Sequence, residues 1–159
     1  MKRLQIIRVF CTGLIAIASC TSGQDLQLST EKPGNLFPVD ARPVIHAHGP
    51  AQLTIHWSTK DYQGEDGPSG IVTLADNGAA EISLPELPRG YYELECEAGE
   101  ASAQIAFGVI NDRSGVAPSS GPLNVDAACA WLEPPSNYDE LARILRAIGV
   151  GWVRERFSW

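Results

Sequence analysis

From Asn35 to Ile110 the chain is cut by turn signals into runs too short for helices. Arg42 to His48 and Gln52 to Thr59 alternate apolar and polar residues and are split by Gly49-Pro50. Asp61 to Gly70 is crowded with Gly, Asp and Pro and reads as a loop. Gly70 to Ala75 and Ala80 to Leu84 flank Asp76-Asn77-Gly78, a strong hairpin signal. Pro85 to Arg89 is a connector, and Tyr91 to Glu97 and Ser102 to Ile110 flank Ala98-Gly99-Glu100. Short strands at this spacing predict a mainly β chain, an antiparallel β-sandwich of immunoglobulin-like type. In the second run Ile55 and Trp57 share the core face, and Thr54, His56 and Ser58 the other.

The pattern changes after Asn111 to Pro122, a linker of Asp, Arg, Ser, Gly and Pro. Leu123 to Trp131 is a near-continuous apolar run, as for a strand buried on both faces. Ser136 or Asn137 can cap the helix that follows. Tyr138, Leu141, Ile144, Leu145 and Ile148 fall at helical spacing, and Gly149 ends the helix. Gly151 to Phe157 reads as the next strand, so residues 123–159 predict a βαβ unit with parallel strands.

The N-terminus reads as a targeting segment, residues 1–20. Lys2, Arg3 and Arg8 precede the apolar stretch Val9 to Ala18, which is too short to span a bilayer comfortably. Ile17-Ala18-Ser19-Cys20 resembles a bacterial lipobox with Cys20 as the lipidated residue; Ala16-Ile17-Ala18 equally fits ordinary cleavage. Both export the protein, to a lipid-anchored place in the cell envelope or to the medium. Residues 21–34 then read as a polar tether. Loss of the three leading cations takes the formal charge from −7 to −10, a balance unsuited to nucleic acid and compatible with neutral sugars.

Of the four cysteines, Cys11 and Cys20 belong to the leader, and Cys96 and Cys129 read as unpaired core thiols rather than a disulfide. His46, His48 and His56 occupy polar faces of two consecutive predicted strands. Paired strands would bring the imidazoles toward one zinc; without an acidic or cysteine ligand beside them they read as surface histidines, and no metal is expected. No P-loop, G-x-G-x-x-G or G-x-S-x-G occurs, so nucleotide and serine-hydrolase readings lack support, and no cofactor is expected.

The stretch Gly149-Val150-Gly151-Trp152-Val153-Arg154-Glu155, followed by Phe157-Ser158-Trp159, resembles the second-strand signature of clan-A glycoside hydrolases. The likeness extends to Leu36-Phe37, Lys60-Asp61-Tyr62-Gln63-Gly64, Leu87 to Leu94 and Phe107-Gly108-Val109, as in β-xylosidase-like and cellulase-like enzymes with an N-terminal sandwich. The resemblance implies that residues 123–159 open a (β/α)8 barrel, of which this chain holds a truncated start. It implies that Arg154 supports the nucleophile carboxylate, keeping it ionised, and that Trp159 stacks on a sugar ring. A retaining pair of carboxylates lies about 5–5.5 Å apart; in this clan they come from strands four and seven. Asp126, Glu133 and Glu155 match neither position, so the chain alone is expected to be inactive. The alternative is a non-catalytic surface lipoprotein whose sandwich binds carbohydrate or a protein. Sugar-binding sandwiches show exposed aromatics on one face; Tyr62, Tyr91 and Tyr92 are the only mid-domain candidates and one of the last two must point inward, so a sandwich that only braces the barrel and binds nothing is favoured over a dedicated sugar-binding module.

Overall fold

The computed structural model describes residues 26–115, 123–127 and 133–155. Its first part has eight strands: β1 (Gln27–Ser29), β2 (Leu36–Pro38), β3 (Val44–His48), β4 (Thr54–Asp61), β5 (Asp66–Thr73), β6 (Ala79–Ser83), β7 (Gly90–Ala98) and β8 (Ala101–Ile110). They form a three-stranded sheet, β1-β3-β6, and a five-stranded sheet, β2-β8-β7-β4-β5. All pairings are antiparallel except β2 with β8. The two sheets share one core, so the mainly β sandwich expected from the turn spacing is present.

Strand alternation builds that core. On β7, Tyr92, Leu94, Cys96 and Ala98 are buried, while Tyr91 and Glu97 are exposed and Glu93 and Glu95 half-buried. Ile45 and Ala47 of β3 and Ile82 of β6 meet them from the opposite sheet. Phe107 stacks on Tyr92 with ring centroids 5.5 Å apart and meets the edge of Phe37 at 5.9 Å. The Tyr92 hydroxyl donates to the Pro88 carbonyl at 2.8 Å. This is a tyrosine corner, in which a phenol at the start of a strand ties down the connection before it. Trp57 lies against Gly70, its cross-strand partner on the edge strand β5; a Cβ there would sit 2.7 Å from the indole.

Several sequence expectations change. Residues 61–70 are not all loop, because β5 begins at Asp66 and pairs with β4 across a bulge between Ser58 and Lys60. Thr59, buried at that bulge, satisfies its hydroxyl on the Pro68 carbonyl. The Asp76-Asn77-Gly78 turn does not join a hairpin, since β5 and β6 belong to different sheets. Leu74 holds the end of β5 to the start of β4 through backbone bonds with Leu53 and Gln52. The turn then carries the chain across the core. Part of the predicted tether, residues 21–34, is structured: Leu26 is buried and β1 pairs with β3.

β9 (Leu123–Ala127), helix α1 (Tyr138–Ala147) and β10 (Val150–Glu155) follow. β9 and β10 pair in parallel, as a strand–helix–strand unit requires. Neither Ser136 nor Asn137 caps α1 with its side chain; Asn137 instead donates to Glu133 at 3.0 Å. Gly149 ends the helix at φ 85°, a left-handed conformation suited to glycine. The strands are less buried than expected: Asn124, Asp126, Trp152, Val153 and Arg154 are exposed. A two-stranded ribbon has two faces and one helix can cover only one of them.

Cys96 is free and buried, and burial pushes its thiol up to about 11; Cys129 lies outside the described residues. An unfolded cysteine ionises near 9, so above that pH the unfolded chain holds fewer protons than the native one and stability falls as pH rises toward 11. Replacing Cys96 with Ala is expected to flatten that alkaline loss in urea titrations across pH 8 to 11. Tyr92→Phe is expected to cost about 1 kcal/mol or more by orphaning the Pro88 carbonyl, read as a lower urea midpoint at unchanged slope.

Candidate functional site

The ribbon of β9 and β10 is held against the sandwich through α1. Gly34, at φ 59°, forms a left-handed turn just before β2, and its N–H donates to Glu140 of the helix at 3.2 Å. A Cβ on Gly34 would lie 2.8 Å from Ile144 Cδ1, so the helix sits against the turn and the Ile144 side chain would have to shift for a larger residue. Asn35 anchors that turn by donating to the Ala106 carbonyl on β8. From the other side, the Arg113 N–H donates to the Ala147 carbonyl at 2.9 Å, and Arg146 Nε donates to the Ser114 carbonyl at 2.8 Å. The Arg113 side chain lies where a Cβ on Gly149 would fall. Glu140, Ile144 and Ala147 are spaced i, i+4, i+7, one face of the helix. Segment 111–115, within the predicted linker, is thus bonded to the helix.

Arg154 lies near the C-terminal end of β10, directly opposite Asp126 of β9. Its Nε is 3.9 Å from Asp126 Oδ2, and its side chain is 76% exposed. Period two places Trp152 on the same strand face as Arg154, and their partners Asn124 and Asp126 beside them. These residues, with Val125 and Val153, line an open hollow of about 450 Å3. The arrangement offers an aromatic, a planar cation, a carboxylate and an amide on one surface. It can hold an anionic group or a polyol, and among the described residues that line it Asp126 is the one carboxylate. Of the other carboxylates considered, Glu133 bonds to Asn137 and the Glu155 side chain is outside the described residues. Cys20 and Trp159 also lie outside the described residues.

The three histidines do not converge. His46 and His48 are on β3 and His56 on β4, in opposite sheets, so the pairing a shared zinc would need does not occur. His46 instead sits 3.9 Å from Glu81 of β6. Among the described residues no cluster of three or more His, Cys, Asp or Glu could hold a metal ion, and no helix is long and apolar enough to cross a membrane.

A second concentration of functional groups lies on the outer face of the five-stranded sheet. Tyr91 donates to Glu93 Oε1 at 2.9 Å, and Gln104 donates to Glu93 Oε2 at 2.9 Å. Lys60 bonds Glu95 at 3.1 Å, and that hydrogen bond raises the lysine's pKa. Partial burial, then the bond to Glu93, raises the Tyr91 phenol, which therefore remains a donor at neutral pH. Sequence reasoning put Tyr91 or Tyr92 inside; it is Tyr92, and Tyr91 is 45% exposed. The Glu93 network was not anticipated, although the polar residues of β7 and β8 alternate visibly in the sequence.

No family model matches the chain, and no curated protein matches it. Solved structures give distant likenesses. A carbohydrate acetylesterase from Xanthomonas citri has TM-score 0.41 at 15% identity, covering 57% of this chain and 22% of that one. A CARDB domain from Pyrococcus furiosus crystallised with di-metal ions has TM-score 0.36 at 13% identity, covering 62% and 100%. A β-glucosidase from Listeria innocua has TM-score 0.33 at 10% identity, covering 54% and 16%. The chain thus spans under a quarter of the esterase and of the glucosidase. At these scores and identities the likenesses establish neither fold nor function.

The seat of the helix is testable. Gly34→Val places a branched side chain against Ile144 at a left-handed φ, a conformation costing an ordinary residue about 1–2 kcal/mol. Amide exchange in residues 141–148 is expected to quicken by about tenfold, with β7 and β8 unchanged. Unaltered exchange in the helix would show that the turn does not hold it.

Proposed function

We propose that the chain is the N-terminal portion of an exported glycoside hydrolase acting on O-glycosidic bonds of a poly- or oligosaccharide with retention. This portion alone is inactive, because the two catalytic carboxylates belong to barrel strands four and seven. The sandwich is assigned to the immunoglobulin-like class on its strand order and its tyrosine corner. The observation that carries the proposal is the parallel pairing of β9 and β10 around α1, with Arg154 near the C-terminal end of the second strand. Catalytic groups of such barrels gather at that end. This supports the sequence resemblance at the residue on which it turns.

In this reading Arg154 donates to the nucleophile carboxylate. The permanent positive charge of its planar fork lowers the carboxylate's pKa and keeps it ionised for attack. Asp126, 3.9 Å from Nε across the ladder, keeps a negative charge beside the guanidinium. Trp159 would contribute an aromatic surface to the sugar site. Export rests on the basic and apolar leader, with Cys20 as the lipidated residue if the protein is anchored.

The second reading is a non-catalytic surface lipoprotein whose sandwich binds carbohydrate or protein. The exposed tyrosines Tyr62 and Tyr91 favour it over a purely structural sandwich. The coding sequence past the Trp159 codon separates the two. The expected result is an open frame with Asn-Glu near strand four and Glu near strand seven. In that longer protein Arg154→Ala is expected to lower kcat by about a hundredfold or more, the scale of losing one charge-stabilising donor. A stop codon immediately after Trp159 would remove the enzyme reading and leave the lipoprotein.

A further inference from the structure

We infer that the outer face of the five-stranded sheet, around Tyr62, Tyr91, Glu93 and Gln104, binds a neutral oligosaccharide. The β4–β7 ladder ends with Asp61 opposite Tyr92. Tyr62 follows Asp61 in a turn and Tyr91 precedes Tyr92 on β7, so the two tyrosines stand at the same end of this ladder. Tyr62 is 76% exposed and Tyr91 45%. The turn that presents Tyr62 is tied down: Gly64 N–H donates to the Asp61 carbonyl, and Asp61 Oδ1 accepts the N–H groups of Gln63 and Glu65. On the other flank of Tyr91 stands Gly108 of β8, where the Leu36 side chain of β2 lies over the place a Cβ would take. Two exposed tyrosines are thus held at one end of the sheet by backbone that is already fixed.

Beside them lies a set of hydrogen-bonding groups in which both oxygens of Glu93 are held, one by Tyr91 and one by Gln104. Lys60 and Glu95 continue the set along the sheet. Fixed rings meet the C–H faces of a pyranose, whose slight positive charge suits the negative face of the ring. The fixed carboxylate and amide meet its hydroxyls, and little side-chain entropy is lost on binding. The acidic balance of the chain disfavours an anionic polymer here. The choice of β-linked probes rests on the hydrolase reading above; the site itself does not.

The test is an amide NMR titration of the whole chain with cellohexaose and with xylohexaose. Expected are saturable shifts at Tyr62, Gln63, Tyr91 and the Gln104 side chain with at least one sugar. Tyr91→Ala should weaken that binding by about tenfold or more, as for an aromatic anchor, whereas Tyr91→Phe keeps the ring and should stay within about threefold. Should Tyr91→Ala lose its dispersed spectrum, Tyr62→Ala gives the same reading. Three results would overturn the inference: no saturable shift with either sugar, shifts confined to Asn124, Trp152 and Arg154, or patch signals that move with protein concentration alone. Failure here, beside an open frame that encodes the two carboxylates, would remove the sugar face and leave the hydrolase proposal intact.

Discussion

The sandwich depends on the two-sided role of β7. This strand lies inside the five-stranded sheet, bonded to β8 along its whole length and to β4 along most of it. Its inward row of Tyr92, Leu94, Cys96 and Ala98 forms much of the shared core. Its outward row of Tyr91, Glu93, Glu95 and Glu97 defines the outer face. A slip of one residue would exchange the two rows, burying three carboxylates and exposing the core. Register is therefore held by burial, and the Tyr92 hydroxyl on the Pro88 carbonyl anchors the point where the strand begins. The same constraint that makes the core fixes where Tyr91 and Glu93 stand.

Much of this was legible because period two is a local signal. The alternation of β4 and of the β7–β8 hairpin, and the inward placement of one of two adjacent tyrosines, follow from side-chain order alone. What was not legible depended on partners distant in the chain. Asp76-Asn77-Gly78 has the residues of a hairpin turn, yet burial of Leu74 on one side and Ile82 and Leu84 on the other sends its flanks to different sheets. β1 hid in a polar stretch because an edge strand of three residues needs only Leu26 and Leu28 against the core and the backbone of β3 beside it. The three histidines looked like neighbours only on the assumption that consecutive strands pair.

The candidate site shows the same division. The strand–helix–strand order after residue 122 could be read from spacing, although the spacing put Arg154 in the middle of a strand over 151–157 and β10 runs Val150–Glu155. The seat of α1 on Gly34 could not, since those residues are separated by more than a hundred positions. The left-handed φ of Gly34 favours glycine locally, and the Ile144 side chain packed against it adds a tertiary reason. Nor could sequence foresee that Arg154 and Asp126 would face each other, because parallel register is set by the crossover helix and not by a turn.

These two devices, the register of β7 and the seat of α1, meet at the same sheet. Asn35, next to Gly34, bonds β8 at Ala106, and Ala106 lies opposite Glu93 in the β7–β8 ladder. Leu36 of β2 pairs with Gly108, and Gly108 with Tyr91. The tyrosine face and the helix seat are therefore carried by adjacent strands of one hydrogen-bonded ladder. A ladder of this kind resists relative movement along its strands, because displacement by one residue inverts every side chain. A glycan held at Tyr91 would thus stand at a fixed place relative to α1. The ribbon that the helix carries, with Arg154 near its end, would be positioned from the same frame.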